Sequence, residues 1–301
     1  MDQKYTNQVK IILDVLPLLK FIPTFALKGG TSITLFYRNF ERRSVDIDLC
    51  YLPIEDRKTT IENIFNNLLE LKKLIEQKLS CTVDFQKTKS KDAAKLFVRA
   101  AQSFIKIEPN FIIRGSCFEP QKLRLNKKVA DSFNVYVEAL NLSFEDVYAG
   151  KLCAALDRQH PRDLFDIKLL LENEGLTDTL RKTFLVYLAQ SNRPMSELLS
   201  PQIQNIKYIY EAEFKGMDDL DTKLAELEHI QHTLPKLILS SLTDNEKKFL
   251  ISMKDAHPDW NLLGLKDFSQ LPGIQWKLIN IKKMEANKRK EALEKLKQVL
   301  V

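Results

Sequence analysis

Apolar positions along the chain follow two regimes. Helical and alternating patterns take turns in the N-terminal half, and helical spacing dominates after Asp163. Residues 6–20 place Val9, Ile11, Ile12, Val15, Leu16, Leu18 and Leu19 on one broad helical stripe, which Pro23 ends. The Gly29-Gly30 pair follows, and the apolar-rich run 32–37 predicts a helix leaving that turn. Residues 44–52, SVDIDLCYL, alternate and predict a strand. Residues 58–79 return to helical spacing through Ile61, Ile64, Phe65, Leu68, Leu69, Leu71 and Leu74. Three strand-like runs come next, at 81–86, 96–100 and 103–110, and the last two are suited to a hairpin about Ala101-Gln102. A strand at 135–139 leads into a helix from about Phe144, with Ser143 as its N-cap.

Beyond Asp163 the helical patterns break at Pro194, Pro201, Pro235, Pro258 and Pro272, and no internal repeat is visible. The pattern predicts an α/β domain over 1–165 and a mainly helical one over 166–301, with the boundary near 160–175.

Composition narrows the class. With 44% apolar and 29% charged residues the chain can bury a core, and 8 Gly and 11 Pro exclude collagen-like or broadly disordered character. Four widely spaced cysteines without a C-x-x-C pair speak against a disulfide framework or zinc cluster. No signal-peptide pattern and no apolar run of membrane-spanning length is present, so a soluble cytoplasmic protein is expected.

The net charge of +6 is uneven: residues 277–301 hold eight basic against three acidic residues, so most of the excess sits in the tail. A second basic stretch covers 87–106, while 211–228 carries seven acidic residues against two lysines. A basic tail on a near-neutral body fits an anionic partner. The tail's leucines, Leu293, Leu296 and Leu300, are spaced to pack one helical face and present lysines on the other.

Candidate chemistry centres on Gly29-Gly30-Thr31-Ser32 and Ser44-Val45-Asp46-Ile47-Asp48-Leu49. On a strand, Asp46 and Asp48 project to the same face while Val45, Ile47 and Leu49 pack behind. Such a pair is offset by a divalent cation, and Mg²⁺ suits it because it takes one or two carboxylates plus substrate phosphates. D-x-D by itself is more often a solvated strand edge; Asp219 and Asp221 have the same spacing without a strand around them and read as surface charge. The first pair differs by its company. A Gly-Gly turn before hydroxyl residues can turn backbone N–H groups toward an anion, although no G-K-[ST] of a P-loop follows.

Glu108, on the same face of its strand as Lys106, offers a third carboxylate able to complete a metal cradle or accept a proton. In the run 145–166, Lys151 shares a helical face with Val147 and Ala155, and Arg158, Arg162, Asp163 and Asp166 gather at the next junction. That group reads equally as a nucleotide-charge-neutralising site or as a capping knot between Asp163 and Arg162. Neither H-E-x-x-H nor G-x-S-x-G occurs, and His229 and His232 lack a third metal ligand nearby.

The set GGTS…RRSVDIDL, IKIEPN and YAGKLCAALDRQHPRDLFDIKLLL resembles the AbiEii/AbiGii-type nucleotidyltransferase toxins, of the DNA polymerase β-like superfamily. The motifs lie in the N-terminal half; LTDNEKKFL and LPGIQWKLINI carry the likeness weakly into the helical end. The fold this implies is an α/β (α+β) nucleotidyltransferase core, a mixed sheet flanked by helices, followed by the helical domain. The resemblance implies transfer of a nucleoside monophosphate from an NTP with release of pyrophosphate, using Mg²⁺ or, alternatively, Mn²⁺. By resemblance Asp46, Asp48 and Glu108 are the metal-binding acids, and Gly30, Thr31 and Ser44 lie at the phosphate-facing turn. Lys151 matches the nucleotide-contacting lysine and Asp166 the later aspartate, with Arg158 beside them. A spacer of 14 residues between Thr31 and Asp46 exceeds the general superfamily spacing. Family members are toxins of bacterial toxin–antitoxin or phage-defence pairs, and some modify the 3′ end of tRNA. The implied partners are therefore an NTP, an RNA acceptor with tRNA foremost, and a cognate antitoxin, with no membrane. Two other classes fit the same residues: a non-catalytic RNA- or protein-binding module, and a kinase-like phosphotransferase.

Overall fold

Alternating burial builds the first part of the fold outward from one central strand. In a computed structural model of the chain, which describes residues 3–88, 93–100 and 103–301, β1 (Phe25–Lys28) and β2 (Asp46–Tyr51) form the middle of a seven-stranded mixed sheet. The other strands are β3 (Thr82–Lys87), β4 (Ala94–Ala100), β5 (Ser103–Asn110), β6 (Gln121–Arg124) and β7 (Glu138–Asn141). Their order is β3-β4-β5-β2-β1-β7-β6. β2 runs parallel to β5 and antiparallel to β1, and β1 runs parallel to β7. β4 pairs antiparallel with β5 as the hairpin expectation requires; its turn at Ala101-Gln102 lies outside the described residues, as do Lys89, Lys91 and Asp92 of the basic stretch.

Ile47 and Leu49 of β2 join Leu96, Val98, Ile105 and Ile107 in the buried core. Against that core pack α1 (Gln3–Val15), which tightens into a 3₁₀ turn at Leu16–Phe21 around Pro17, and later α3 (Arg57–Lys78). Thr60, Ile64, Leu68, Leu71 and Ile75 are the buried stripe of α3, and the Asp56 side chain caps its first turn by accepting the N–H groups of Lys58 and Thr59. With one face of β2 committed to the core, Asp46 and Asp48 are left on the other. Farther along β2 that other face closes: Cys50 is fully buried, and its thiol donates to the Gly115 carbonyl at 3.3 Å. Burial pushes the Cys50 thiol up to about 12, which makes it inert.

The turn expected to launch a helix does so in two pieces, α2 (Gly29–Ser32) and a π-type turn at Ile33–Tyr37. Ser32 donates to the Asn141 side chain at 2.8 Å and Tyr37 to the Leu142 carbonyl at 2.6 Å, tying this segment to the end of β7. One expectation moves. The strand expected at 135–139 lies at Glu138–Asn141, because α4 (Lys127–Phe133) ends on Asn134 in the left-handed conformation and the chain needs the next residues to return to the sheet. β1, β6 and α4 were not evident from periodicity, being short elements of four to seven residues.

The chain divides into two compact units, Met1–Val147 and Tyr148–Val301. The division falls within α5 (Phe144–Asp157), and α6 starts at Pro161 with His160 as its N-cap. The second unit is helical: α6 (Pro161–Asn173), α7 (Asp178–Gln190), α8 (Met195–Leu199), α9 (Lys207–Glu213), α10 (Leu224–Ser241), α11 (Asp244–Lys254), α12 (Pro272–Lys283) and α13 (Ala286–Leu300). Pro235 does not break this series. It sits inside α10, where the buried stripe Leu227, Gln231, Leu234 and Ile238 outweighs the one backbone hydrogen bond proline forfeits. Arg181 of α7 and Glu246 of α11 form a buried ion pair at 3.0 Å.

The basic tail is likewise part of this unit. Leu296 and Leu300 are buried as their spacing suggests, whereas Lys277 is no surface charge: it is 8% exposed and its ammonium donates to the Ser191 and Arg193 carbonyls at 2.6 and 2.8 Å. Burial pushes its pKa down to about 8. Lys282, Lys283, Lys288, Lys290, Lys295 and Lys297 remain exposed. Among the described residues no helix is long and apolar enough to cross a membrane.

Candidate active site and comparison with known proteins

Strand register assembles the acids. Asp48 of β2 lies opposite Glu108 of β5, and Asp46 opposite Lys106, so the two aspartates and Glu108 share one face of the sheet centre. On the other side of β2, Lys28 at the end of β1 is paired with Asp48. Lys28, Asp48, Glu108, Asn110, Phe111 and Ile112 line an open pocket of about 310 Å³.

The Gly-Gly turn closes directly onto this face. Gly29 has φ +67°, a conformation that disfavours side chains, and a Cβ there would come within 2.4 Å of the Asp48 Oδ2. A Cβ on Gly30 would meet the Arg42 guanidinium at 2.7 Å and the Ser44 hydroxyl at 3.2 Å. Gly29 is thus set by both its backbone conformation and its closeness to Asp48, whereas Gly30 abuts the movable end of Arg42. The hydroxyls expected at the turn have a different setting: Thr31 and Ser44 are 1% and 7% exposed. Thr31 donates to the backbone carbonyl of Asp46, and the Ser44 hydroxyl bonds Thr31 at 2.8 Å. They lock the start of β2 to the turn.

Lysines occupy the space between the acids. The Lys106 ammonium is 2.7 Å from Glu108 Oε2 and 3.8 Å from Asp46 Oδ2, and Lys95 reaches Glu108 Oε1 at 3.3 Å. Partial burial pulls the Lys106 pKa down, but the hydrogen bond to Glu108 and the charges of Asp46, Glu108 and Asp48 outweigh it and raise it overall. Partial burial likewise pushes Glu108 up, and the two lysines more than reverse that. The donor set is carboxylate oxygen, hard enough for a divalent cation that completes its shell with substrate phosphate. Among the described residues no three His, Cys, Asp or Glu side chains are gathered as ready-made metal ligands. Carboxylate oxygens of Asp46 and Asp48, with substrate phosphate, are a donor set that fits such an ion.

In the second unit Lys151 of α5 stands between two carboxylates of α6, 2.8 Å from Asp163 and 3.0 Å from Asp166. All three are buried, with side-chain exposures of 7%, 1% and 1%. Arg158 completes the group through Asp163, at 2.5 and 3.1 Å, from a largely exposed position. Asp163 is therefore paired with Lys151 and Arg158, and not with Arg162, which lies 3.7 Å from Glu213. His160 serves as N-cap of α6, its Nδ1 accepting the Arg162 N–H. Burial drives Asp163 upward, but Lys151 and Arg158 overcome it and hold its carboxyl well below the usual carboxylate range.

One structural carboxylate went unread in the sequence. Asp146 is buried and accepts the Cys117 and Phe118 N–H groups and the Ser143 hydroxyl at 2.8–3.0 Å, pinning the loop after β5. The local Ser143-x-x-Asp146 capping pattern marks it as part of the helix start, but its role in the loop does not show locally, because Cys117 and Phe118 lie 29 and 28 residues away.

A mixed sheet with an i,i+2 aspartate pair on its central strand, capped by a Gly-Gly turn, has the architecture of a nucleotidyltransferase core. The family model for the nucleotidyl transferase AbiEii toxin of type IV toxin–antitoxin systems matches residues 11–279, and the chain belongs to that family. It is a nucleotidyltransferase toxin, with a nucleotide substrate and an antitoxin partner. Among solved structures it is similar in fold to MenT4, a nucleotidyltransferase toxin from Mycobacterium tuberculosis H37Rv, with a TM-score of 0.62 at 15% identity over 92% of this chain and 93% of that one. No curated protein sequence matches it.

Two outcomes follow from the geometry. Gly29→Ala should lose about 1–2 kcal/mol from backbone strain alone and displace Asp48, whereas Gly30→Ala presses only on side chains and should cost less; equilibrium urea unfolding of both variants compares them. Lys151→Met should cost about 3–5 kcal/mol, because it removes the buried cation that Asp163 and Asp166 share. Asp163, with its depressed pKa, contributes stability that is present above the ordinary carboxylate pKa of 3.8 and is lost as pH falls below it. Acid titration of the unfolding free energy should show that loss in the parent protein and a smaller one in Lys151→Met.

Proposed function

We propose that this toxin transfers a nucleoside monophosphate from an NTP to a hydroxyl of RNA, the 3′ end of tRNA being the acceptor, in the cytoplasm. The observation that carries this reading is Asp46 and Asp48 side by side on β2, with Glu108 in register and the Gly29-Gly30 turn against Asp48. Nucleotidyltransferase folds generally use a divalent metal; here Asp46 and Asp48 would hold Mg²⁺, which when bound stabilises charge on the attacking and leaving oxygens. The hydroxyl oxygen bonds to the α-phosphorus while the bond to the β-phosphate oxygen breaks, and pyrophosphate leaves. Glu108 is the carboxylate placed to take the hydroxyl proton once its lysines release it. Gly29 brings the turn's backbone against Asp48, Gly30 follows it beside Arg42 and Ser44, and Thr31 and Ser44 hold the turn in place. Lys151, bracketed by Asp163 and Asp166 and accompanied by Arg158, is assigned to the nucleotide through the family motif it matches.

The exposed lysines of α12 and α13 suit an RNA backbone, so we assign them the acceptor's phosphates. Action against phage follows from the toxin–antitoxin family and is part of the same proposal.

With total RNA and each NTP in turn, label from the α-phosphate should appear in tRNA and label from the γ-phosphate should not. γ-Label on protein would establish a kinase, and no transfer of either label would favour a binding module. Asp48→Asn should lower transfer by about a thousandfold while leaving the melting transition in place. Replacing Lys282, Lys283, Lys288 and Lys290 by Gln together should weaken RNA binding and reduce its salt dependence by about one phosphate contact per lysine. Unchanged binding at every salt concentration would remove these lysines from the acceptor site.

A further inference from the structure

The charged side chains on the open face of the sheet include Asp46 and Asp48 on β2, Lys106 and Glu108 on β5, Lys95 on β4 and Lys28 on β1. Register sets a conflict among them. Asp46 faces Lys106, an opposite-charge pair, but Asp48, with Lys28 across from it on β1, faces Glu108 on β5, and like charges side by side on neighbouring strands repel. The Lys106 ammonium relieves part of this by reaching along its own strand to Glu108 at 2.7 Å while staying 3.8 Å from Asp46. It therefore stands among the oxygens that a divalent cation would use.

We propose that Lys106 is a built-in counter-ion of the nucleotide-free site, which a divalent cation must displace from Asp46 and Glu108 in order to bind. This rests on the reading that Asp46 and Asp48 hold the metal. Three carboxylates near one another make the bare site unfavourable, and a tethered ammonium supplies one positive charge where an ion would supply two. A long, flexible lysine stem suits this task because the ammonium can leave and return without moving the backbone. Its side chain is 29% exposed, so water is at hand for the displaced charge. Lys95 reaches Glu108, its ammonium also lying over the Phe97 ring, and so bears less on an ion held by the aspartates. The consequence is weak metal binding without nucleotide. The added phosphate oxygens of the NTP then tip the exchange toward the metal, so that metal and nucleotide bind together.

Mn²⁺ binding to the full-length, nucleotide-free protein, followed by electron paramagnetic resonance of the free ion, tests this without reference to activity. Lys106→Met should bind Mn²⁺ about tenfold more tightly than the parent, the lower end of what one nearby opposite charge does to a carboxylate's proton affinity. Lys106→Arg keeps the charge and should remain close to the parent, and Lys95→Met should change binding less than Lys106→Met does. Adding Asp48→Asn to Lys106→Met should abolish the gain. A thermal melt in chelator, with and without Mn²⁺, verifies that each variant folds and should show the largest Mn²⁺-induced rise for Lys106→Met. If Lys106→Met binds no more tightly while Asp48→Asn weakens binding in the parent, the counter-ion role is overturned and the metal site stands. If Mn²⁺ binding is indifferent to Asp48 in every background, the metal site itself is overturned, and the counter-ion role with it.

Discussion

Repulsion among Asp46, Asp48 and Glu108 is the constraint around which the first unit is arranged. Nothing in a folded sheet favours three carboxylates on one face; they stay there because the opposite face of β2 and β5 is committed to the core through Ile47, Leu49, Ile105 and Ile107. A one-residue slip in register would bury the acids and expose those side chains, so hydrophobic burial holds the charges in place. The surroundings answer the repulsion with lysines from β4 and β5, and with a glycine turn that leaves the Asp48 carboxylate room.

The second unit solves a related problem under different dielectric conditions. Lys151 is enclosed with Asp163 and Asp166, where each charge depends on the others for its solvation. Lys106 is partly exposed and can exchange its partners for water. The same two kinds of charge, ammonium and carboxylate, therefore act as a fixed structural knot in one place and as a labile arrangement in the other. A loss of activity on changing Lys151 has to be separated from a loss of folding, whereas the acids of β2 stabilise little and report more directly on chemistry.

Much of the site was legible because its signals are local. The alternation in SVDIDLCYL places Asp46 and Asp48 together, and the same alternation in SFIKIEPN places Lys106 beside Glu108. The helical stripes of α1 and α3, the Ser143 cap and the helical character beyond Asp163 are likewise properties of short windows. Short elements such as β1, β6 and α4 carry too few residues for a period to show, and Pro235 misled because a single residue's propensity yields to the packing of a whole helical face.

By itself the sequence determined which residues share a face, which segments bury a stripe, and that a Gly-Gly turn and two aspartates occur in one half of the chain. These depend on backbone periods of two and 3.6 residues, which any short stretch displays. Only the tertiary structure decided that Asp48 lies across from Glu108, that Lys106 stands between the acids, and that Thr31 and Ser44 face inward to hold β2. It also decided that Asp163 takes Lys151 and Arg158 as partners, and that Lys277, counted among the tail's charges, is buried beneath two carbonyls. Each of these turns on strand order, register or helix packing between distant segments, and the energy of a charge depends on what surrounds it more than on its neighbours in the chain.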